Sequence, residues 1–180
     1  MAIDYYKKTL RDSELRKLNN FEKGCWINVI NPDEKELKEL EQEFSLDEQN
    51  LLSAIDKHEI PRAEFEEEGN YIILKTVHPS NNKEVNTFMV IIGPNYLMTV
   101  SILEPRFITK ILNNKKDIIT TQKNKTLLKF LSEINNEFEK ATLNIVKNVD
   151  KTRDSIEDLR DKDLNELLKQ EDALNNFVSA

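Results

Sequence analysis

Little in this sequence can form a covalent intermediate or hold a soft metal. Its 180 residues contain one cysteine, Cys25, and two histidines, His58 and His78. A single cysteine excludes an internal disulfide and fits a reducing compartment. Within the strand-like run Cys25-Trp26-Ile27-Asn28-Val29-Ile30, it reads as a buried thiol rather than a nucleophile. His58 sits in the polar stretch Asp56-Lys57-His58-Glu59, and His78 ends an apolar run just before Pro79. No Cys-x-x-Cys, His-x-x-x-His or Ser-His-Asp pattern exists, and the three glycines are isolated, so no phosphate-cradling loop forms. The expectation is that this is not an enzyme. No apolar run approaches the roughly 18–20 residues that span a bilayer, and Met1 to Leu10 is too polar for a signal peptide. As given, the chain reads as soluble.

All five prolines and all three glycines lie at or before Pro105, so Arg106 to Ala180 carries no helix breaker. Charge is unbalanced too: 33 acidic against 26 basic residues give a net charge of −7. That balance argues against nucleic acid as a partner, since phosphates need a basic footprint. It is compatible with cation binding.

What is present centres on Ile60 to Leu103. Three runs rich in β-branched and aromatic residues, Tyr71 to Val77, Val85 to Ile92 and Tyr96 to Leu103, are separated by Pro79-Ser80-Asn81-Asn82 and Gly93-Pro94-Asn95. Such short connections predict an antiparallel meander. Tyr71 to Leu74 and Met89 to Ile92 are apolar on both strand faces, so layers must cover both sides of the sheet. Ahead of it come weak strand candidates at Ile3 to Thr9 and Glu14 to Leu18, then the stronger Cys25 to Ile30. Asn31-Pro32-Asp33-Glu34 predicts a helix start with Asn31 as cap and Glu34 at the capping-box position. Leu37, Leu40 and Phe44 form its stripe. Asp47 starts a second short helix with Leu51, Leu52 and Ile55 as its buried face.

Beyond Glu104-Pro105-Arg106, the residues Phe107, Ile108, Ile111 and Leu112 predict a short helix packed back on the sheet. Leu127, Leu131, Ile134, Phe138, Thr142, Ile145, Val149, Thr152, Ile156 and Leu159 recur at spacings of three and four, the seam of a long helix. After Arg160-Asp161-Lys162, Asp163 and Glu166 repeat the capping-box logic, and Leu164, Leu167, Leu168, Leu174 and Phe177 form a new stripe. The two read as an antiparallel helical hairpin. The expected fold is therefore α/β (α+β): a layered sandwich with a largely antiparallel or mixed sheet covered by helices. Residues 1–105 form the sheet domain and 106–180 a helical extension. The apolar stripe running into Asn176-Phe177-Val178-Ser179-Ala180 reads as the cut end of a longer chain.

Carboxylates cluster at Glu64 with Glu66-Glu67-Glu68, at Asp47-Glu48, and at Asp154, Glu157, Asp158, Asp161 and Asp163. Magnesium tolerates sites of one or two carboxylates plus water. Exposed carboxylates are nonetheless mostly solvated, and the residues by themselves name no metal site.

Several motifs together resemble a family. Trp26-Ile27-Asn28-Val29-Ile30-Asn31-Pro32 resembles the W-I-D-L-x-x-P opening of CorA-type magnesium transporters. Glu59-Ile60-Pro61-Arg62-Ala63-Glu64 before Tyr71-Ile72-Ile73-Leu74 is similar to the family's next segment. Asn95-Tyr96-Leu97-Met98-Thr99-Val100 resembles its N-x-L-(I/M)-T-V strand, and a long helix beginning Leu127-Leu128 comes next in the matching order. The likeness runs from about Gly24 to Ala180. It implies a cytoplasmic domain at the membrane's inner face, leading to a stalk and two spans, in a homopentameric Mg2+ or Co2+ channel. The Gly-Met-Asn pore signature would lie beyond Ala180. It also implies a regulatory, low-affinity Mg2+ site between subunits, built on a Glu-Asp pair before the Pro-Arg motif. Here those positions are Leu52 and Ser53, neither of which replaces a carboxylate. The aspartate of the family's L-I-D-x-L-V-D segment falls on Glu133, and Asp56 and Glu59 stand nearby as substitutes.

The expected function is thus a cytosolic regulatory domain of a divalent-cation transporter. Its competitors are a zinc-transporting relative, a stand-alone adaptor whose helical seam binds a partner helix, and a metal-dependent hydrolase. The last would need a convergent His and carboxylate set, which two scattered histidines do not provide.

Overall fold

A computed structural model describes residues 2–153 and 161–180, with the side chains of Ala2 and of residues 151–163 outside the description. Seven strands make one sheet: β1 (Ala2–Lys7), β2 (Arg16–Leu18), β3 (Cys25–Ile30), β4 (Arg62–Phe65), β5 (Asn70–Val77), β6 (Val85–Ile92) and β7 (Tyr96–Ser101). Their spatial order is β2-β1-β3-β7-β6-β5-β4. The expected meander is present, with β4, β5, β6 and β7 each antiparallel to the next. One pairing is parallel: β3 lies against β7, Asn28 opposite Thr99. The chain between them, helices included, supplies the long crossover that parallel strands require. The sheet is therefore mixed.

Alternation along the strands splits the core into two layers. Cys25, Ile27, Val29, Met89, Ile91, Met98 and Val100 face one side. There they meet Leu37 and Leu40 of α1 (Glu34–Phe44) and Leu51 of α2 (Glu48–Ser53). Trp26, Phe88, Val90 and Leu97 face the other, against Phe107, Ile108 and Ile111 of α3 (Arg106–Asn114) and Phe130 and Ile134 of α4 (Lys123–Arg153). A one-residue slip of any of these strands would exchange its two sets. In the second layer Trp26 Nε1 donates to Thr99 Oγ1 at 2.9 Å, and Thr99 Oγ1 donates to Asn28 Oδ1 at 2.8 Å. The polar atoms of the Trp-Ile-Asn motif thus satisfy one another inside the core, as buried polar groups must. Gly93 is required by contact: a Cβ there would collide with the Tyr96 ring.

The first helix starts later than its sequence suggests. Asp33, not Asn31, is the cap, its Oδ1 accepting from Glu36 N at 2.8 Å while Glu36 Oε2 accepts from Asp33 N at 2.9 Å. Asn31 has φ 53° and donates its N–H to Ser101 O at 2.8 Å, extending the β3–β7 ladder instead. In α2 Asp47 does cap, accepting from Asn50 N at 2.7 Å. Leu52, expected on its buried face, is 40% exposed.

The last helices, α4 and α5 (Asp161–Val178), form the predicted antiparallel hairpin. Phe138 and Phe177 meet edge-on at 5.2 Å between ring centres. The seams are corrected in detail. Phe130, absent from the predicted stripe of α4, is fully buried among Trp26, Phe88 and Phe107. Among the described side chains of α5 the buried residues are Gln170 and Ala173, while Leu164, Leu168 and Leu174 of the predicted stripe are exposed. Thr152, Ile156 and Leu159 of the α4 seam, and Asp163 of the second capping box, lie outside the described side chains.

Candidate functional site

The corner between α2 and β4 holds Leu52 and Ser53, the positions of the family's acidic pair. α2 is set by its Asp47 cap and by Tyr71 Oη, which accepts from Asp47 N at 2.8 Å. Its last residue, Ser53, is buried, and its Oγ donates to Gln49 O at 3.3 Å. Arg62 organises the rest of the corner. Its Nη2 donates to Ser53 Oγ at 3.1 Å, its Nη1 to Glu59 Oε1 at 2.5 Å and its Nε to Glu64 Oε1 at 2.5 Å. Glu59 is held below the usual carboxylate range by hydrogen bonding to Ser53 and Ile60 N and by the Arg62 charge. Glu64 is held there chiefly by its hydrogen bond from Arg62. Both carboxylates are ionised, and both are already occupied by a guanidinium.

The loop above the corner is fixed from beneath. Lys75, buried on β5, donates to Lys57 O at 2.8 Å and Thr87 Oγ1 at 3.0 Å, while Thr87 Oγ1 donates to Asp56 O at 2.6 Å. Burial pushes the Lys75 amine below its ordinary range. The Asp56 side chain turns to its own backbone, accepting from His58 N at 2.8 Å.

The other sequence candidates take ordinary places. Cys25 is fully buried, and burial raises its thiol. His78 Nδ1 accepts from Ser80 N and Asn81 N at 3.2 and 3.1 Å, closing the β5–β6 turn. Glu66, Glu67 and Glu68 are exposed at the β4–β5 turn, and Asp47 is a cap. Asp154, Glu157 and Asp158, with Asp161 and Asp163, lie outside the described side chains. Glu133 is buried on α4 and pairs with Lys110 and Lys129, each at 2.8 Å. Among the described residues no group of three or more His, Cys, Asp or Glu side chains is placed to hold a metal ion.

The model of the CorA-like Mg2+ transporter proteins matches residues 21–180. The chain belongs to that family. Among solved structures, the complete CorA magnesium transporter from Methanocaldococcus jannaschii is similar with a TM-score of 0.81 at 21% identity, covering 98% of this chain and 58% of that one. The soluble domain of the same transporter gives 0.79 at 22% identity, with 98% and 73% covered. The ZntB cytoplasmic domain from Vibrio parahaemolyticus gives 0.69 at 10% identity, again with 98% and 73%. At these identities the likeness establishes the fold. Among curated proteins, none matches the sequence. The chain spans little more than half the length of the complete transporter it resembles.

Within the CorA-like fold, the implied magnesium site was tested on the α2 corner, and the residues do not fit it. Leu52 projects outward without a ligand atom, and Ser53 Oγ is engaged by Gln49 and Arg62. The Arg62 guanidinium already sits on Ser53 Oγ, and its charge repels a divalent ion. Asp56 and Glu59 do not replace the pair, since one serves a turn and the other an ion pair. The Pro61-Arg62 motif by itself does not announce that Arg62 grips Glu59, Glu64 and Ser53. A signal existed: residues two apart on a strand share a face, so Arg62 and Glu64 had to be neighbours. Among the described residues no helix is long and apolar enough to cross a membrane.

Proposed function

We propose that this chain is the cytosolic regulatory domain of a CorA-type transporter that carries Mg2+ or Co2+ as cargo, without enzymatic activity, at the cytoplasmic face of the cell membrane. The observation that carries the reading is the family match over residues 21–180, nearly the whole fold. In the full-length protein the domain assembles as a homopentamer. Apolar side chains left exposed on the hairpin, Leu128, Leu143 and Val146 on α4 and Leu164, Leu168 and Val178 on α5, support contacts between copies.

Regulation is a matter of linkage. A cation bound better by the closed arrangement than by the open one shifts the equilibrium by its differential affinity, and its loss releases the gate. Surface carboxylates that meet between copies repel when empty, which drives rearrangement. The Leu52–Ser53 corner takes no part in this. The test is calorimetry and light scattering across a magnesium titration. About 10 mM Mg2+ is expected to raise Tm by roughly 3–6 °C, the response to a ligand near ten times its Kd, or to change the oligomeric state. An unchanged Tm and an unchanged mass together would refute the sensor while leaving family membership intact. The fold likeness to ZntB supports a second reading, with Zn2+ as cargo. The same titration with Zn2+ separates the two by which ion acts at the lower concentration.

A further inference from the structure

The seam between α3 and α4 carries two carboxyl groups one helical turn apart, and only one of them is settled. Glu133 is buried and receives Lys110 and Lys129, each at 2.8 Å. Glu137 is half-buried, and its Oε2 is shut off from solvent with no hydrogen-bond partner. The helix facing it begins without a cap of its own. Pro105 offers no side-chain acceptor, and the Ile108 and Thr109 N–H groups both turn back on Pro105 O, at 3.0 and 3.5 Å. That leaves the Phe107 N–H, on a residue 1% exposed, to hydrogen-bond with the Glu137 carboxyl across the seam. A buried N–H at the head of a helix needs such an acceptor from outside.

The charged groups around Glu137 are few and mostly engaged elsewhere. On α3, Arg106 donates from Nε to Pro79 O at 2.7 Å and from Nη1 to Asn82 Oδ1 at 2.6 Å, while Lys110 lies on Glu133. On α4 itself stand Glu133, whose charge opposes a second anion, and the exposed Lys140. The β5–β6 turn brings only the uncharged Asn82 to the cavity in front of Glu137, and none of the described residues of α5 lines it. Burial therefore pushes the Glu137 carboxyl above its ordinary range, and the Arg106 charge and the Phe107 N–H oppose this only in part. An ionised carboxylate only accepts, so its enclosed Oε2 stays without a partner. Protonation removes the charge that burial disfavours.

We propose that Glu137 is a proton-controlled clasp: protonated, it closes α4 on the first turn of α3, and ionised, it lets that seam open. The sign follows from linkage. In the closed seam the carboxyl holds its proton more tightly than in the open one, where it is hydrated and titrates near the usual value of about 4.3. The closed form is fully favoured below the open value and loses that advantage as pH rises through the closed one. Between the two, the ratio of closed to open falls about tenfold for each pH unit that separates them. Phe130, fully buried against Trp26, Phe88 and Phe107, anchors α4 about two turns before Glu137. The stretch that moves is therefore the later part of α4, and with it the hairpin, whose hold on the sheet becomes a function of proton concentration.

The test is nuclear magnetic resonance on the whole chain from about pH 4 to pH 8. The carboxyl carbon of Glu137 gives its titration, and the exchange rate of the Phe107 amide, corrected for its intrinsic pH dependence, gives the state of the seam. Glu137 is expected to titrate above about 4.3, and Phe107 protection to fall in step with its ionisation. Glu137→Gln, uncharged at every pH and still an acceptor, should keep Phe107 protected throughout. Glu137→Ala, with no acceptor, should leave it exchanging fast throughout. Glu133→Gln should preserve the pH dependence, because Glu133 serves Lys110 and Lys129 rather than the Phe107 N–H. The clasp is overturned by a Glu137 that titrates at or below the ordinary value, by Phe107 protection that ignores pH in the unaltered chain, by a pH dependence that survives in Glu137→Gln, or by a protected Phe107 in Glu137→Ala.

Discussion

Along β3, β6 and β7 both faces of the sheet are sealed: Cys25, Ile27 and Val29 under α1 and α2, Trp26, Phe88 and Leu97 under α3 and α4. The α4–α5 hairpin has an equally regular apolar pattern and does not close. Gln170 and Ala173 are its buried residues among the described side chains of α5, while Leu164 at 58% and Leu168 at 50% exposure stand outside. A strand has two faces and a layer arrived on each, so alternation alone settled which residue went where. A helix offers a full circle of directions, and a stripe of leucines says only that one side wants cover. In the hairpin the inner side is held by rings and by an ion pair, Phe138 on Phe177 and Lys83 on Glu166. Within this chain the sheet is the finished unit and the hairpin the sociable one.

The largest expected effect therefore belongs to the residue that joins the two. Phe130 comes from the hairpin but is fully buried, in contact with the rings of Trp26, Phe88 and Phe107. Phe130→Ala should cost about 3–5 kcal/mol, the usual penalty for an aromatic cavity in a packed core. Urea denaturation reads it. A loss under about 1 kcal/mol would mean that α4 is not part of the sheet's core, and the contrast between sheet and hairpin would fail.

How much of this was written in the sequence varies for physical reasons. The meander was legible because its turns, Pro79 to Asn82 and Gly93 to Asn95, bracket β-branched runs of strand length. The two covering layers were legible because Met89 to Ile92 is apolar on both faces. Phe130 was not, since Phe130 and Leu131 both follow Leu127 at helical spacing, three and four residues on, and periodicity cannot choose between overlapping stripes. The first helix cap was misplaced by two residues because Asn31 is claimed by Ser101, a partner far along the chain. At the candidate site, the missing carboxylates at Leu52 and Ser53 could be read directly. That Arg62 fills the space was settled by β4 coming alongside α2, which no local pattern states. Gln170 carried no signal at all, because a buried amide looks like any polar helix residue.

Glu133 and Glu137 sharpen the comparison at intermediate size. One helical turn apart on α4, they look alike in sequence. Hydrogen bonds from Lys110 and Lys129 hold Glu133 below the ordinary carboxylate range, whereas burial raises Glu137, whose Oε2 has no hydrogen-bond partner. The signs are opposite. Glu133 has a folded pKa below its unfolded value of about 4.3, so its stabilisation is complete above that value and is lost as pH falls through the folded one. Glu137 has a folded pKa above its unfolded value, so what it contributes is present below the unfolded value and disappears as pH rises through the folded one. Glu133→Gln should cost about 1 kcal/mol at pH 7 and flatten the acid limb of a stability–pH curve. Glu137→Gln should raise stability at pH 7 and leave it unchanged at pH 3. Parallel shifts in the two variants would show that α4 presents one environment along this stretch.

The smallest expected effect tests the open side of the hairpin. Leu168 lies on the outer face of α5, half exposed, and gives up little contact within the chain when it is made polar. Leu168→Ser should change the stability of the dilute, monomeric chain by less than about 0.5 kcal/mol, the range of ordinary surface substitutions. Its effect should grow with protein concentration if the same leucine is covered by another copy, because association stabilises by mass action. Two denaturation series at concentrations about a hundredfold apart read both quantities at once. A cost above about 1 kcal/mol at the lower concentration would place Leu168 in the chain's own core, and the hairpin would then be as closed as the sheet.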